Sequence, residues 1–343
     1  MGNEFQLGHL LARSQYAGSD SSELDLRDYD VLVLGSSWDS RSVWLSKQVN
    51  IRSSIGVLIT YLQEDPFGRQ RRHNIILLDF LQLTCTKVYQ ICVDSHDIVK
   101  MWQQLAPRIV AAELQLNRPL RICVDLTAIP RFCSLAALGC LLANGRANQF
   151  TFVYAEGEYD DRRTKEETVT FHEGEWRAEP IPFFGTYDPL KKRHYIVSVG
   201  FEGRQTYRAV LDGEPNRVSI LFPRPGVKRN YERRASEQNR KLIDDYCVPK
   251  TQIIYACAGD AVAAWKNLHL ASLERTFTEN VFFLCCGTKP HALGLALHAI
   301  SLHDPIILYY VADSHTVTDV QLAGKFWRYD ITDTSSIVPS TAF

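Results

Sequence analysis

The chain has 343 residues, of which 45% are hydrophobic and 22% are charged, and its formal net charge is -1 at pH 7. This length fits two domains of about 150 residues each, because a single hydrophobic core rarely grows much larger. The near-zero net charge excludes a general attraction to long nucleic acid or to an anionic membrane, so any nucleotide recognition has to be local.

Two further features of the sequence bear on the cellular location of the protein. Residues 1–20 lack a basic segment followed by an apolar run, and no stretch approaches the roughly 18 uninterrupted apolar residues that span a bilayer. We therefore expect a cytoplasmic protein without a membrane partner. The nine cysteines form no CxxC pair and lie mostly in apolar runs, which predicts reduced core residues, no metal site and no cofactor.

Short apolar runs alternate with longer mixed segments from residue 30 onward, the pattern of βαβ units with a parallel sheet. The strand candidates of the first half are 31–34, 55–61, 87–93, 120–126 and 150–154, with a helix over 132–142. The strand candidates of the second half are 195–199, 217–222, 252–257, 280–285 and 305–311, with a helix over 292–300. Their uninterrupted Val, Ile and Leu content predicts an α/β fold with mainly parallel sheets covered by helices on both faces.

Similar residues follow corresponding strands in the two halves. An aromatic residue, an acid and an arginine come after the first strand of each half, and the two arginines, Arg41 and Arg204, are 163 residues apart. A turn into an apolar helix follows the fourth strand of each half, with Pro130 and Pro290 160 residues apart. These spacings predict an internal duplication into two tandem Rossmann-like units. The alternative is chance similarity between two generic α/β halves.

The segments outside this pattern set the predicted domain bounds. Residues 1–28 are polar and rich in Ser and Asp, which predicts an N-terminal arm. A charge run at 160–167 is followed by a strand, a Gly-containing turn at 173–175 and a second strand, which predicts a connecting hairpin. The predicted order is an arm (1–28), a first unit (29–160), a connector (161–192) and a second unit (193–343).

The loops after the first and fourth strands are the candidate functional site, because doubly wound sheets bind ligands beyond the carboxyl ends of their strands. The turn Gly287-Thr288-Lys289-Pro290 joins a strand to a helix. Its glycine permits close backbone approach, and the helix start favours an anion, which would offset the unfavourable position of Lys289. The alternative is that Thr288 is only a helix N-cap and Lys289 a solvated first-turn residue.

The other candidates come from the equivalent loops. The first-half counterpart of the Gly-Thr-Lys turn runs from Thr127 to Arg131 and lacks the glycine. The acid and the arginine of each first-strand loop either pair with each other or bind ribose hydroxyls and phosphate, and the aromatic residue either stacks on a base or covers the core. The predicted ligand contacts are Gly287, Thr288, Lys289, Phe201, Glu202, Arg204, Trp38, Asp39, Arg41, Thr127 and Arg131.

Sequence patterns of known catalytic sites are missing. The chain has no GxSxG elbow, no GxxxxGK[ST] loop and no GxGxxG after a first strand. Cys286 adjoins the loop that holds His291, but a cysteine at the end of a buried strand is usually a core residue. A binding module is therefore favoured, and the question of enzymatic activity stays open.

The strand-Gly-Thr-Lys-Pro-helix passage at 282–293 resembles the corresponding passage of the CARF superfamily, which are Rossmann-like sensor domains of prokaryotic antiviral systems. In that family a Gly-Thr-Lys turn after the fourth strand contacts cyclic oligonucleotides, and a loop at the position of Gly200 to Arg204 lines the pocket. The related SAVED domains resemble two CARF units fused in one chain. The turn from Thr127 to Arg131 departs from the family pattern.

The resemblance implies a nucleotide-sensing component of an antiviral defence system, which binds a cyclic oligonucleotide second messenger. Because no effector domain is recognisable, it also implies a separate effector protein as partner. One alternative is an enzyme that cleaves such a nucleotide, with Lys289, Arg204 and Thr288 positioning it as in a ring nuclease. Another is a non-catalytic scaffold that binds only protein, through the N-terminal arm and the connector.

Overall fold

Two units make up the chain. The computed structural model describes residues 2–47, 50–62, 67–93, 98–143, 147–159, 172–272, 278–315 and 320–337. Met1–Glu158 and Thr318–Phe343 form the first unit, and Tyr159–Val317 form the second. The first unit therefore takes residues from both ends of the sequence.

The elements are numbered here in chain order. The strands are β1 (Glu4–Leu7), β2 (Leu10–Ala17), β3 (Asp28–Gly35), β4 (Arg52–Tyr61), β5 (Cys85–Val93), β6 (Leu120–Asp125), β7 (Ala147–Glu158), β8 (His172–Pro180), β9 (Lys192–Ser198), β10 (Arg217–Pro223), β11 (Ile253–Ala256), β12 (Glu279–Cys285), β13 (Ile306–His315) and β14 (Gln321–Asp333). The α-helices are α1 (Arg69–Thr84), α2 (Ile98–Leu116), α3 (Arg131–Ala143), α4 (Gly203–Gly213), α5 (Arg229–Gln238), α6 (Arg240–Asp245), α7 (Ala261–Ser272) and α8 (Lys289–Leu302). Short 3-10 helices cover Ser21–Leu24, Ser40–Lys47, Lys250–Gln252 and Thr334–Ile337.

The sheet of the first unit has the strand order β1-β2-β14-β7-β6-β3-β4-β5. Its strands from β7 to β5 run parallel, whereas β14, β2 and β1 pair antiparallel. Numbered along the chain, the five parallel strands have the spatial order 3-2-1-4-5 of a doubly wound sheet. The strand order reverses between β3 and β6, which is the switch point of this unit.

The sheet of the second unit has the order β11-β10-β9-β12-β13-β8. The strands from β11 to β13 run parallel, and β8 pairs antiparallel with β13 at the edge. Its parallel strands also have the order 3-2-1-4-5, so its switch point lies between β9 and β12. The predicted α/β class with mainly parallel sheets is thus confirmed, and all ten predicted strands coincide with observed ones.

Each sheet is covered by helices that bury continuous apolar surface. In the first unit, Leu77 and Leu81 of α1 pack with Trp44 against Leu32 and Leu58 of the sheet. Complete burial of one such side chain contributes about 1.5–3 kcal/mol. Among the described residues, no helix is long and apolar enough to cross a membrane. All nine cysteines lie in this part of the chain, and none of them forms a disulfide.

The segment 1–28 supplies two strands of the first sheet, β1 and β2, whereas its composition predicts an arm. β1 and β2 form an antiparallel hairpin, and β2 pairs with β14 from Ala17 opposite Phe326 to Leu10 opposite Asp333. Buried and exposed residues occur along β2 without a continuous apolar run, so the overall composition of the segment does not indicate a strand.

The predicted connector also takes another form. The turn expected at 173–175 lies inside β8, which continues as one strand to Pro180 and pairs with β13. The strand expected before that turn, at 168–171, lies outside the described residues. The register of this pair shifts between Trp176 opposite Ala312 and Glu173 opposite Ser314, so Gly174 lies at a β-bulge inside the strand and not in a hairpin turn.

Candidate ligand-binding site

The switch point of the second unit lies at the carboxyl ends of β9 and β12, where doubly wound sheets form the crevice that binds ligands. These two strands pair in parallel, with Phe282 opposite Tyr195 and Phe283 opposite Ile196. Residues of α4 pack with Tyr195 on one face, whereas the ring of His298 in α8 lies 5.7 Å from Phe283 on the other face. Because α4 and α8 leave neighbouring strands toward opposite faces, their first turns flank the crevice.

Gly287 is the point where the two loops of this crevice meet. A Cβ atom at this position would collide with the hydroxyl oxygen of Ser198 and lie 2.8 Å from the carbonyl oxygen of Val199. A Cβ atom at Gly200 would lie 3.1 Å from the carbonyl oxygen of Cys286. The close backbone approach predicted for Gly287 is therefore an approach to the neighbouring loop, which the structure itself requires.

Thr288 caps α8. Its hydroxyl oxygen accepts a hydrogen bond from the His291 N–H at 3.3 Å, and the hydroxyl donates to the carbonyl oxygen of Ala258 at 2.8 Å. This is the N-cap role that the sequence left as one of two alternatives. Lys289 follows as the first residue of the helix, where it is half-buried.

The residues of the first-strand loop have separate surroundings. The ring of Phe201 lies 5.2 Å from Tyr231 and 5.6 Å from Tyr159, and the guanidinium of Arg234 is 5.5 Å from its centroid. Glu202 is buried, whereas Arg204 is exposed in the first turn of α4. Phe201 therefore belongs to an aromatic cluster, and Arg204 is the member of this loop that a ligand can reach.

Several buried polar atoms surround the crevice. Ser198 Oγ, Asn239 Oδ1 and His291 Nδ1 belong to residues with 0% exposure and have no hydrogen-bond partner within the described residues. An unsatisfied buried polar atom costs about 1–3 kcal/mol. Sequence reasoning missed Ser198 and Asn239, because a serine inside a strand and an asparagine at a helix end carry no specific signal.

His291 is held neutral by its surroundings. Its Nε2 lies 3.1 Å from the carbonyl oxygen of Cys257, so Nε2 carries the proton and donates it, and Nδ1 is left as an acceptor. Burial lowers the pKa of His291 to about 4, and the backbone hydrogen bonds only partly oppose this shift. The side chain therefore contributes no charge to the crevice at neutral pH.

The acid and the arginine in the first unit hold each other. Arg41 donates to Asp39 at 2.6 Å and, through another nitrogen, to the carbonyl oxygen of Ala155 at 3.0 Å. Both side chains are largely buried. The pair therefore attaches the loop after β3 to the end of β7, which is the structural alternative for these residues. Trp38, in the same loop, is half-buried.

Thr127 is also engaged inside the first unit. Its hydroxyl oxygen accepts hydrogen bonds from the Trp44 indole at 3.2 Å and from the Ala155 N–H at 3.0 Å. The same indole donates to the buried carboxylate of Asp125 at 3.0 Å. Arg131, the first residue of α3, is half-buried. The side chains of Asp39, Arg41 and Thr127 are thus all bonded within the first unit.

A buried acid near the end of β7 was missed by the sequence analysis as a site residue. Glu156 accepts a hydrogen bond from the Trp327 indole at 2.7 Å, and Lys325 lies 3.9 Å from its other oxygen. Burial raises the pKa of Glu156, although these two partners oppose the shift. Both partners belong to β14, so only the fold brings them to Glu156.

Similarity to known proteins does not assign this site. No family model matches the chain. No curated protein matches its sequence. Within the part of the chain that the structure describes, no three His, Cys, Asp or Glu side chains are grouped so as to hold a metal ion. The function has to be argued from the geometry of the second unit.

Proposed function

We propose that the chain is a nucleotide-sensing component of a prokaryotic antiviral defence system, which binds a cyclic oligonucleotide or related nucleotide and signals to a separate effector protein. The observation that carries the proposal is the pair of cations at the second switch point. Arg204 and Lys289 lie in the first turns of α4 and α8, on either side of the crevice at Gly287. A cation at the positive end of a helix is unfavourable by roughly 0.3–1 kcal/mol, and a bound phosphate would offset this cost.

We also propose that the two units arose by internal duplication. In support, the parallel strands of both sheets have the same spatial order, 3-2-1-4-5, and each sheet has an antiparallel strand beside its fifth parallel strand. Under this proposal the first copy lost its ligand site when Arg41 paired with Asp39. The second copy is then the sensor, and it is the one in which the resemblance to the CARF superfamily is carried by Gly287, Thr288 and Lys289.

Calorimetry with a panel of cyclic di-, tri- and tetranucleotides tests the proposal. We expect one class to bind with a dissociation constant below about 100 µM, which corresponds to about -5.5 kcal/mol. If no member of the panel binds in this range, the sensor proposal fails. Chromatography of the recovered ligand separates a sensor, which returns it intact, from an enzyme that opens the ring.

Two substitutions locate the site. Arg204→Ala and Lys289→Ala should each weaken binding by about 10- to 100-fold, the worth of one charge-assisted hydrogen bond. Lys250→Ala is the matched control, because Lys250 is an exposed lysine just before β11, at the amino ends of the strands of the same sheet. Binding that is unchanged in both site variants would remove the crevice from the proposal.

A further inference from the structure

A cavity of about 110 Å³ lies within the second unit, at the amino ends of the strands. It sits between the sheet and the last turns of α7 and α8, where Leu268, Ser272 and His298 line it. Since the crevice at Gly287 lies at the carboxyl ends of the same strands, the two sites are at opposite ends of these strands. Nothing in the proposed nucleotide site uses this cavity.

Polar residues occupy sheet positions here that would ordinarily be apolar. Arg217 lies opposite His194, and Ser219 lies opposite Ile196, all on the sheet face that α7 and α8 cover. His194 and Ser219 are only 6% and 5% exposed. Buried polar side chains on a helix-covered face lower stability unless their hydrogen bonds are made.

The hydrogen bonds of His194 fix its tautomer. An Arg217 nitrogen lies 2.8 Å from His194 Nδ1 and donates to Glu279 at 2.6 Å. Arginine only donates, so Nδ1 accepts, and the single imidazole proton is on Nε2. His194 Nε2 therefore donates to Ser219 Oγ across 2.8 Å. A serine hydrolase requires the opposite tautomer, with Nε2 ready to accept the serine proton, so this Ser-His-Glu group is not a catalytic triad.

The same tautomer makes the cavity a hydrogen-bond donor. Because Ser219 Oγ accepts from His194, its own hydrogen can only be donated elsewhere, and the structure gives it no acceptor within the described residues. Ser219 lines the cavity, so the cavity offers a donor in need of an oxygen. Glu279 balances the charge of Arg217, and the ligand therefore does not have to be an anion.

We propose that this cavity binds a small neutral molecule with a carbonyl oxygen and an apolar body. The oxygen accepts from Ser219, and the body contacts Ile196, Ile254 and Phe283, which also line the cavity. A water needs at least about 10–15 Å³ in this measure, so the cavity accommodates roughly seven to ten non-hydrogen atoms.

Three probes that share one branched apolar body test the ligand class: isovaleramide, isovalerate and isopentylamine. They present a neutral carbonyl, an anionic carboxylate and a cationic donor, respectively. Binding of each probe to the whole chain is measured by titration, with saturation-transfer NMR and thermal melting as the readouts. We expect isovaleramide to bind saturably, with a dissociation constant on the order of 1 mM. Tighter binding of isovalerate or isopentylamine would overturn the neutral-carbonyl assignment, and the absence of saturable binding by all three would overturn the site.

Variants connect the probe to the cavity. Ser219→Ala should weaken isovaleramide binding by about tenfold, because one donor is lost. Ile254→Phe, which fills the cavity, should abolish it, with a cooperative melt showing that the variant folds. Ser301→Ala removes a hydroxyl that bonds its own helix at Leu297, outside the cavity lining, and should leave binding unchanged. Equal binding by wild type and Ser219→Ala overturns the proposal even if Ile254→Phe does not fold, and the cyclic nucleotide titration is independent of all these outcomes.

Discussion

Residues of the same type take different roles at the two switch points. Asp39 and Arg41 bond each other inside the first unit, whereas Glu202 is buried and Arg204 is exposed in the second. Arg41 also donates to the Ala155 carbonyl near the end of β7, and this second partner makes its position structural. The residue types in each loop therefore do not determine whether a charge is available to a ligand. Whether the charge is available depends on the contacts that the loop makes with the neighbouring strand.

The buried neutral state of His291 predicts a pH dependence of stability. Its folded-state pKa of about 4 lies below the ordinary value of 6.5, so the unfolded chain binds the proton first as pH falls. Stability should be lost from about pH 6.5 downward, by roughly 3 kcal/mol from this one group once pH is below both values. His291→Gln, which keeps a donor for the Cys257 carbonyl, should flatten this part of the profile.

Chemical denaturation between pH 7 and pH 4 measures the effect. His303→Asn is the matched control, since His303 is an exposed histidine at the other end of the same helix. A profile for His291→Gln that superimposes on that of the wild type would show that His291 does not contribute.

At the scale of elements, the contact between the loops after β9 and β12 depends on backbone atoms. At Gly287 the nearest groups are the Ser198 hydroxyl and the Val199 carbonyl, and the carbonyl cannot rotate away as a long side chain can. In the first unit Gly35, at the end of β3, lies against Ile129 after β6, as Gly200 after β9 lies against Cys286 in the second unit. Each switch point therefore has a glycine after its first parallel strand, and the second unit adds Gly287 after its fourth.

Gly287→Ala should destabilise the second unit. The added Cβ would force apart the two loops, and overpacking of this kind costs about 1–3 kcal/mol. Gly18→Ala is the control, because a Cβ there meets nothing within 4 Å. Urea denaturation of both variants should show a lower midpoint for Gly287→Ala alone, and equal midpoints would mean that the loop contact relaxes without cost.

At the scale of the whole molecule, the strand that follows the fifth parallel strand of each unit belongs to the sheet of the other unit. β8 follows β7 along the chain but pairs with β13, and β14 follows β13 but pairs with β7. The first sheet therefore contains a strand from beyond residue 317 and is incomplete without it. Phe326, Trp327, Tyr329 and Ile331 of β14 are all buried. Each contributes about 1.5–3 kcal/mol, so together they approach the typical 5–15 kcal/mol stability of a domain.

Truncation after Val317 should therefore unfold the first unit while the second retains all its strands. We expect a cooperative melt of reduced amplitude, together with rapid proteolysis within residues 1–158. A chain that ends at Ile337 keeps β14 and serves as the control, with the melt of the whole chain expected. Wild-type protection of residues 1–158 in the shorter chain would contradict the role given to β14.

How much the sequence predicts depends on how local the responsible forces are. The ten parallel strands are recognisable because each is a continuous apolar run that buries both faces. The antiparallel strands β1, β2 and β14 were not predicted, and β8 was predicted only as the second strand of a hairpin, because the positions of these strands depend on partners far along the chain. In the candidate site, the glycine and the N-cap were predictable from the residues at 287 and 288. The buried polar atoms of Ser198 and Asn239 were not.

By itself the sequence determined the α/β class, the ten parallel strands and the two strand ends that carry Arg204 and Lys289, since hydrophobic periodicity and turn chemistry act over a few residues. Only the tertiary structure decided which strand completes which sheet, which side chains bond each other at the first switch point, and where the cavity at Ser219 lies. These features depend on hydrogen bonds and packing between residues 25 to 171 positions apart, such as His194 with Ser219 and Glu156 with Trp327. No local pattern encodes such pairs.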